Sequence, residues 1–258
     1  MKSKTAEKKR IFFIDEIRGL AVLCMVFYHS FYVFYSFFEW EWAKNLFDFF
    51  MPIQPLFAGI FIFICGISCT FSKNNFKRGV ILLAVALGFT LVTAVVMPKL
   101  GFINCEIYFG ILHFLALSII IFSLVSGFIG RIPPAVGIVI CSVLYAFTSG
   151  VQNGVLNYGE LLVFEIPDYL YEYDFLMPLG IYSTSFTSAD YFPLFPDIFI
   201  FFAGAFAGIY LAKKGYPEWA RKEKVPFFGF LGRNALPIYV VHMPIAYALG
   251  YIINLLII

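Results

Sequence analysis

Three histidines, His29, His113 and His242, are the only imidazoles among 258 residues, and each falls inside an apolar run. Imidazole titrates near neutrality, so it is the side chain best suited to take up and return a proton. An ionisable group in hydrocarbon is costly and by default marks function. His29 lies eleven residues beyond Arg18 in the run IFFIDEIRGLAVLCMVFYHSFYVFYSFF, residues 11–38. That spacing is close to three helical turns, so Asp15, Arg18, Val22, Met25 and His29 share one face. At about 1.5 Å per residue, His29 sits roughly 16 Å beyond Arg18, at mid-membrane depth or a little further. His113 follows Glu106 by seven residues. The spacing predicts one helix face for both, where the carboxylate would orient the ring or raise its basicity. Arg18 and Arg233 stand near the ends of their runs. They suit an anion clamp for a phosphate-bearing cofactor, with snorkelling to the headgroups as the competing role.

The elements that must position these groups are transmembrane helices. The chain is 61% hydrophobic, 21% aromatic and only 13% charged, far from an ordinary soluble domain. It reads as one all-α domain, a polytopic helical bundle of about seven spans. The expected spans are 11–38, 49–71, 80–96, 107–128, 135–148, 197–211 and 236–258. Pro52 and Pro55 are expected to bend the second span, and Trp40 and Trp42 mark an interfacial loop at 39–45. The first apolar run is too long for a signal peptide and no small-residue cleavage site follows it. Nothing in the pattern of basic residues points to nucleic acid. Four of the five cysteines lie in apolar runs, and only Cys105 is near an outer loop, so neither a disulfide nor a metal site is expected.

Lys and Arg set the expected orientation. Fourteen of them fall in the tail, in 72–79, at Arg131 and in 213–224, against Lys44 and Lys99 in the opposite loops. This bias predicts a multi-pass protein of the cytoplasmic membrane, with the N-terminus in the cytoplasm and, for seven spans, the C-terminus outside. The segment 149–196 breaks the pattern. It carries Glu160, Glu165, Asp168, Glu172, Asp174 and Asp190 with no Lys or Arg, and 160–170 is expected to form a short interfacial or re-entrant helix.

Four segments carry a resemblance: DEIRGLAVLCMVFYH (15–29), FGILHFLAL (109–117), DYFPLFPD (190–197) and FLGRNALPIYVVHMP (230–244). In this order they resemble the bacterial branch of the heparan-α-glucosaminide N-acetyltransferase catalytic-domain family. The first also looks like the wider group of membrane acyltransferases, where an Arg–Gly and a His share this spacing. The resemblance implies transfer of an acetyl group, or another short acyl group, from acetyl-coenzyme A to a sugar or glycan acceptor at or across the membrane. It implies His29 as the base, with Asp15 and His113 in the same core, and the spacing adds Glu106 beside His113 as a catalytic candidate. Arg18, Arg233 and His242 would bind the cofactor, and Asp190 and Tyr191 the substrate. The bilayer, acyl-coenzyme A, the glycan acceptor and a homo-oligomeric copy are the partners compatible with this reading. The lysosomal members carry a His in the loop after the first span, whereas this chain has none between His29 and His113. Two other classes stay open on the residues alone: a proton-coupled transporter or flippase, with the histidines as a relay, and a structural membrane protein whose polar groups join helices.

Overall fold

The structure is a computed structural model that describes residues 10–102 and 105–257. Lys2, Lys4, Lys8 and Lys9 of the expected basic tail lie outside the described residues. The first helix, α1 (Phe12–Phe38), has 27 residues, roughly 40 Å at 1.5 Å per residue, which is more than enough to cross the hydrocarbon. It ends at Glu39, whose left-handed backbone (φ 57°) turns the chain. The next segment is helical where the sequence suggests a loop: α2 spans Glu41–Phe50. The Trp40 carbonyl accepts from the backbone N–H groups of Ala43 and Lys44, and Trp40 and Trp42 stack at 5.6 Å while packing against Phe34 of α1. These ring contacts and the burial of Ala43 outweigh the loop-like composition.

Helix α3 (Gln54–Cys69) follows, bent by 55° from α2 across residues 51–53. The bend falls where Pro52 and Pro55 were expected to produce one, and α2 and α3 form a bent pair. Helix α4 (Asn75–Leu91) starts at Asn74, whose side chain accepts from the Lys77 N–H at 2.9 Å. It continues through a π turn, Val92–Val96, into the short α5 (Met97–Lys99). Helices α6 (Ile111–Ile129) and α7 (Pro134–Thr148) complete the middle of the chain, with Pro133 and Pro134 fitting the start of α7.

The mixed segment corrects the sequence reading. Residues 160–170 hold no α-helix. Strands β1 (Val155–Tyr158) and β2 (Leu162–Glu165) pair antiparallel, with Leu156 opposite Phe164, and short 3-10 turns follow. β-branched and aromatic residues between glycines, with Gly159 at φ +59° in the turn, favour a hairpin. Helix α8 (Ile198–Lys214), the short α9 (Pro226–Arg233) and α10 (Ala235–Ile257) end the chain. Helix α9 was not foreseen.

Five helices are long and apolar enough to cross a membrane, and the number is six with the bent pair counted as one span. With the 17-residue α8 this agrees with a polytopic all-α protein of about seven spans. The outward faces suit lipid: Leu87 and Leu91 on α4, Val139 and Val143 on α7, and Leu249 and Leu255 on α10 are exposed.

The chain forms two compact units, Met1–Ile64 with Lys214–Ile258, and Cys65–Lys213. In the first, α1 packs along α9 and α10. At its crossing with α9 the two backbones touch. A Cβ on Gly19 would stand 1.9 Å from the Phe228 carbonyl oxygen, and one on Gly232 would stand 1.8 Å from that of Asp15. In the second unit α4 packs on α6, and Phe114, Ala116 and Phe201 are fully buried. Gly66, in the last turn of α3 and within this unit, lies against α8, since a Cβ there would meet the Phe201 carbonyl oxygen at 2.0 Å.

Candidate functional site

In the first unit, α1 opens with two buried carboxylates. Asp15 accepts from Arg10 Nε at 2.8 Å and from Arg18 Nη1 at 3.1 Å, and Arg18 Nη1 also reaches the Gly232 carbonyl at 3.4 Å. Glu16 accepts from the backbone N–H groups of Lys224 and Val225, at 2.5 and 2.9 Å, just before α9 begins. A carboxylate there satisfies helix-start donors and complements the positive end of the dipole. Arg233 pairs with Glu223 at 2.9 Å, both about 30% exposed. Asp15 and His29 are fourteen residues apart on α1, roughly 21 Å at 1.5 Å per residue. The carboxylate therefore acts on the two arginines and is out of reach of the imidazole.

Deeper along α1, His29 meets His242 of α10. His29 Nδ1 lies 2.9 Å from His242 Nε2, and the rings stack with centroids 5.1 Å apart. His242 Nδ1 lies 2.6 Å from the Tyr239 carbonyl oxygen, one turn back on the same helix. A carbonyl only accepts, so His242 Nδ1 carries hydrogen. With both rings neutral, as an apolar span favours, His242 Nε2 is then an acceptor and His29 Nδ1 must donate to it. The hydrogen-bond chain thus assigns both tautomers and leaves a lone pair on His29 Nε2. His242 is buried, while His29 is partly accessible.

His113, in the second unit, is arranged differently. Helix α6 starts at Ile111, so Glu106 lies before the helix and off the face that the spacing predicts. The Gly110 N–H donates to His113 Nδ1 at 3.2 Å. His113 Nε2–H therefore points to Thr90 Oγ1 at 3.2 Å, and Thr90 passes its own hydrogen to the Ile107 carbonyl at 2.8 Å. Both ring nitrogens are engaged. Thr93 accepts from the Ile107 N–H at 3.0 Å. On the other side of this segment, Ala189 N–H donates to the Glu106 carbonyl and Phe192 N–H to the Phe109 carbonyl. Asp190 sits in the left-handed region, φ 51°, with its carboxylate over Gly110, where a Cβ would be 3.0 Å from Oδ2. The Tyr191 hydroxyl donates to the Met177 carbonyl at 2.6 Å, and its ring is wedged between Tyr182 and Phe186. Burial, with the Tyr182 phenol beside it, pushes the Tyr191 phenol up, so it stays a neutral donor.

The family model described as heparan-alpha-glucosaminide N-acetyltransferase, catalytic, matches residues 10–244. The chain belongs to that family. No curated protein and no solved structure matches it. Membership in this acetyltransferase family, with helices fit to cross a bilayer, makes the chain a multi-pass membrane protein of the acetyltransferase class. The matched range runs from Arg10 to just past His242, and so includes every candidate above.

Within the first unit of this family member, Asp15 and Arg18 come together at the start of α1, and His29 and His242 come together further along. In the second, His113, Asp190 and Tyr191 surround Gly110. Glu106 reaches that group through its backbone carbonyl. Among the described residues, no group of three or more His, Cys, Asp or Glu converges as a metal site. The sequence reading missed three things: the helix-start role of Glu16, the Tyr239 carbonyl and the Thr90–Thr93 pair. The threonines left a trace, as two hydroxyls three apart in an apolar run; a backbone carbonyl leaves none.

Proposed function

We propose that this protein transfers an acetyl or other short acyl group from acyl-coenzyme A to a hydroxyl or amine of an acceptor, such as a sugar or glycan, with His29 as general base. The observation that carries the reading is the chain Tyr239 carbonyl, His242, His29, which leaves the His29 Nε2 lone pair available. Nε2 takes the proton from the acceptor as its oxygen or nitrogen attacks the thioester carbonyl. The C–S bond then breaks, and the departing thiolate takes a proton to leave as coenzyme A. His242 positions His29: it holds the tautomer and shares the charge of the imidazolium as it forms.

Arg18 binds the anionic end of the donor, held in place by Asp15. The roughly 16 Å between Arg18 and His29 suits a donor whose phosphates and thioester lie far apart. Arg233, paired with Glu223, contributes less. In the second unit, His113, Glu106 and Tyr191 hold the loop that carries Asp190. The lysine and arginine bias supports a cytoplasmic N-terminus and donor entry from that side. The test is turnover and acetyl-coenzyme A affinity of His29→Ala and Arg18→Ala, beside melting temperature. His29→Ala is expected to lose turnover with donor binding kept, and Arg18→Ala to lose donor binding. Wild-type turnover in a folded His29→Ala protein removes His29 as the base.

A further inference from the structure

The least covered part of the second unit is the β1–β2 hairpin. Leu161 is 87% exposed, and Leu162, Val163 and Phe164 are each more than half exposed. These residues alternate faces, so both faces of β2 are open, and one edge of each strand lacks a partner among the described residues. A lone two-stranded hairpin is marginal in water. Contiguous apolar exposure of this kind marks a contact with something.

The hairpin lies against the end of a lipid-facing helix. Strand β1 packs on α7. At Gly150, just past the end of that helix, a Cβ would meet Val155 Cγ2 at 2.6 Å. Phe164 meets Phe147 of α7 edge-on at 6.2 Å. Above Phe147 the same helix exposes Val136, Val139, Ile140 and Val143, the side chains of a membrane span. The hairpin continues that surface at its rim. The 3-10 turns that follow add exposed Tyr169, Tyr173 and Phe175, the residue types of an interfacial belt.

We infer that the hairpin is an interfacial anchor: Leu161–Phe164 insert into the headgroup and upper acyl region of the leaflet around the end of α7. The depth is limited. The unpaired strand edges need water or headgroup oxygens, which the hydrocarbon centre lacks, and Glu160 and Glu165 bracket the apolar run at the polar level. Because 149–196 contains no Lys or Arg, attachment is driven by apolar burial and needs no anionic lipid.

The test uses the full chain in phosphatidylcholine vesicles. Leu161→Cys and Leu162→Cys carry a nitroxide, and the exposed Thr184→Cys is the aqueous control. The unsubstituted chain, labelled in parallel, gives the contribution of its own cysteines. Power-saturation should show labels at 161 and 162 relaxed by oxygen and shielded from a water-soluble nickel chelate. Label 184 should show the reverse. Adding phosphatidylglycerol should leave the result unchanged. Nickel accessibility at 161 and 162 equal to that at 184 overturns the inference. So does shielding from both reagents with dipolar broadening between labels, which would mean that a second copy covers the hairpin.

Discussion

His29 and His113 are the same residue type in comparable apolar helices, yet their hydrogen bonds give them opposite capacities. His113 is closed: Gly110 fills one ring nitrogen and Thr90 takes the hydrogen of the other. His29 is open: its Nδ1–H is spent on His242, and Nε2 keeps its lone pair. The difference comes from what stands opposite each ring. A loop backbone and a hydroxyl can complete an imidazole. A second imidazole, itself fixed by a carbonyl, can only complete half of one. A histidine within a membrane is therefore read by counting the partners of each nitrogen, since burial alone does not separate the two.

The largest test of this contrast is His29→Ala. Loss of a general base is expected to cost about 10²- to 10⁴-fold in turnover, with the smaller stability loss, about 1 kcal/mol, since it strands a single acceptor, His242 Nε2. His113→Ala should do the opposite. It strands a buried N–H and a hydroxyl, so stability should fall by about 1–3 kcal/mol, while the folded fraction turns over near the wild-type rate. A reversed pair of results, measured by turnover and thermal unfolding side by side, would make His113 the base and break the comparison.

A smaller effect is expected at His242. Its hydrogen bond orients His29, and losing about 1.4 kcal/mol of orientation corresponds to about tenfold in turnover for His242→Ala. His242→Gln keeps an acceptor for the His29 Nδ1–H, and partial recovery of turnover separates positioning from packing. The smallest effect belongs to Thr90→Val. It removes one link of the His113 set, at about 1 kcal/mol of stability, and turnover should not move. A loss of turnover there would tie the second unit's loop directly to the chemistry.

Much of the scaffold was legible in the sequence, because hydrocarbon forces long apolar runs and prolines bend them where Pro52 and Pro55 stand. The common face of Asp15, Arg18 and His29 was legible for the same reason, since helical period is local. Local spacing misled at Glu106, because the relation to His113 held only if the helix began before Ile111, and Gly110 starts it later. It misled again at 160–170, where LVFE pairs as a strand with residues on the far side of a glycine turn. The His29–His242 contact was beyond reach of any spacing rule: 213 residues separate the partners, and only the packing of α1 on α10 joins them. The role of Glu16 was not legible, because the N–H groups that satisfy it are backbone groups 208 and 209 residues away.

The crossing at Gly19 and Gly232 has a mechanical meaning. Where side chains separate two helices, each has rotamers that can readjust, so the helices can slide by fractions of a turn at little cost. Here main chain rests on main chain, and that joint has no rotameric slack. Asp15 and Arg18 lie in the turn that makes this contact, so their backbone position relative to α9 is set by main chain against main chain and not by side-chain rotamers. The joint serves as a fixed datum at one end of α1, and conformational freedom in the first unit must be sought elsewhere along the helix.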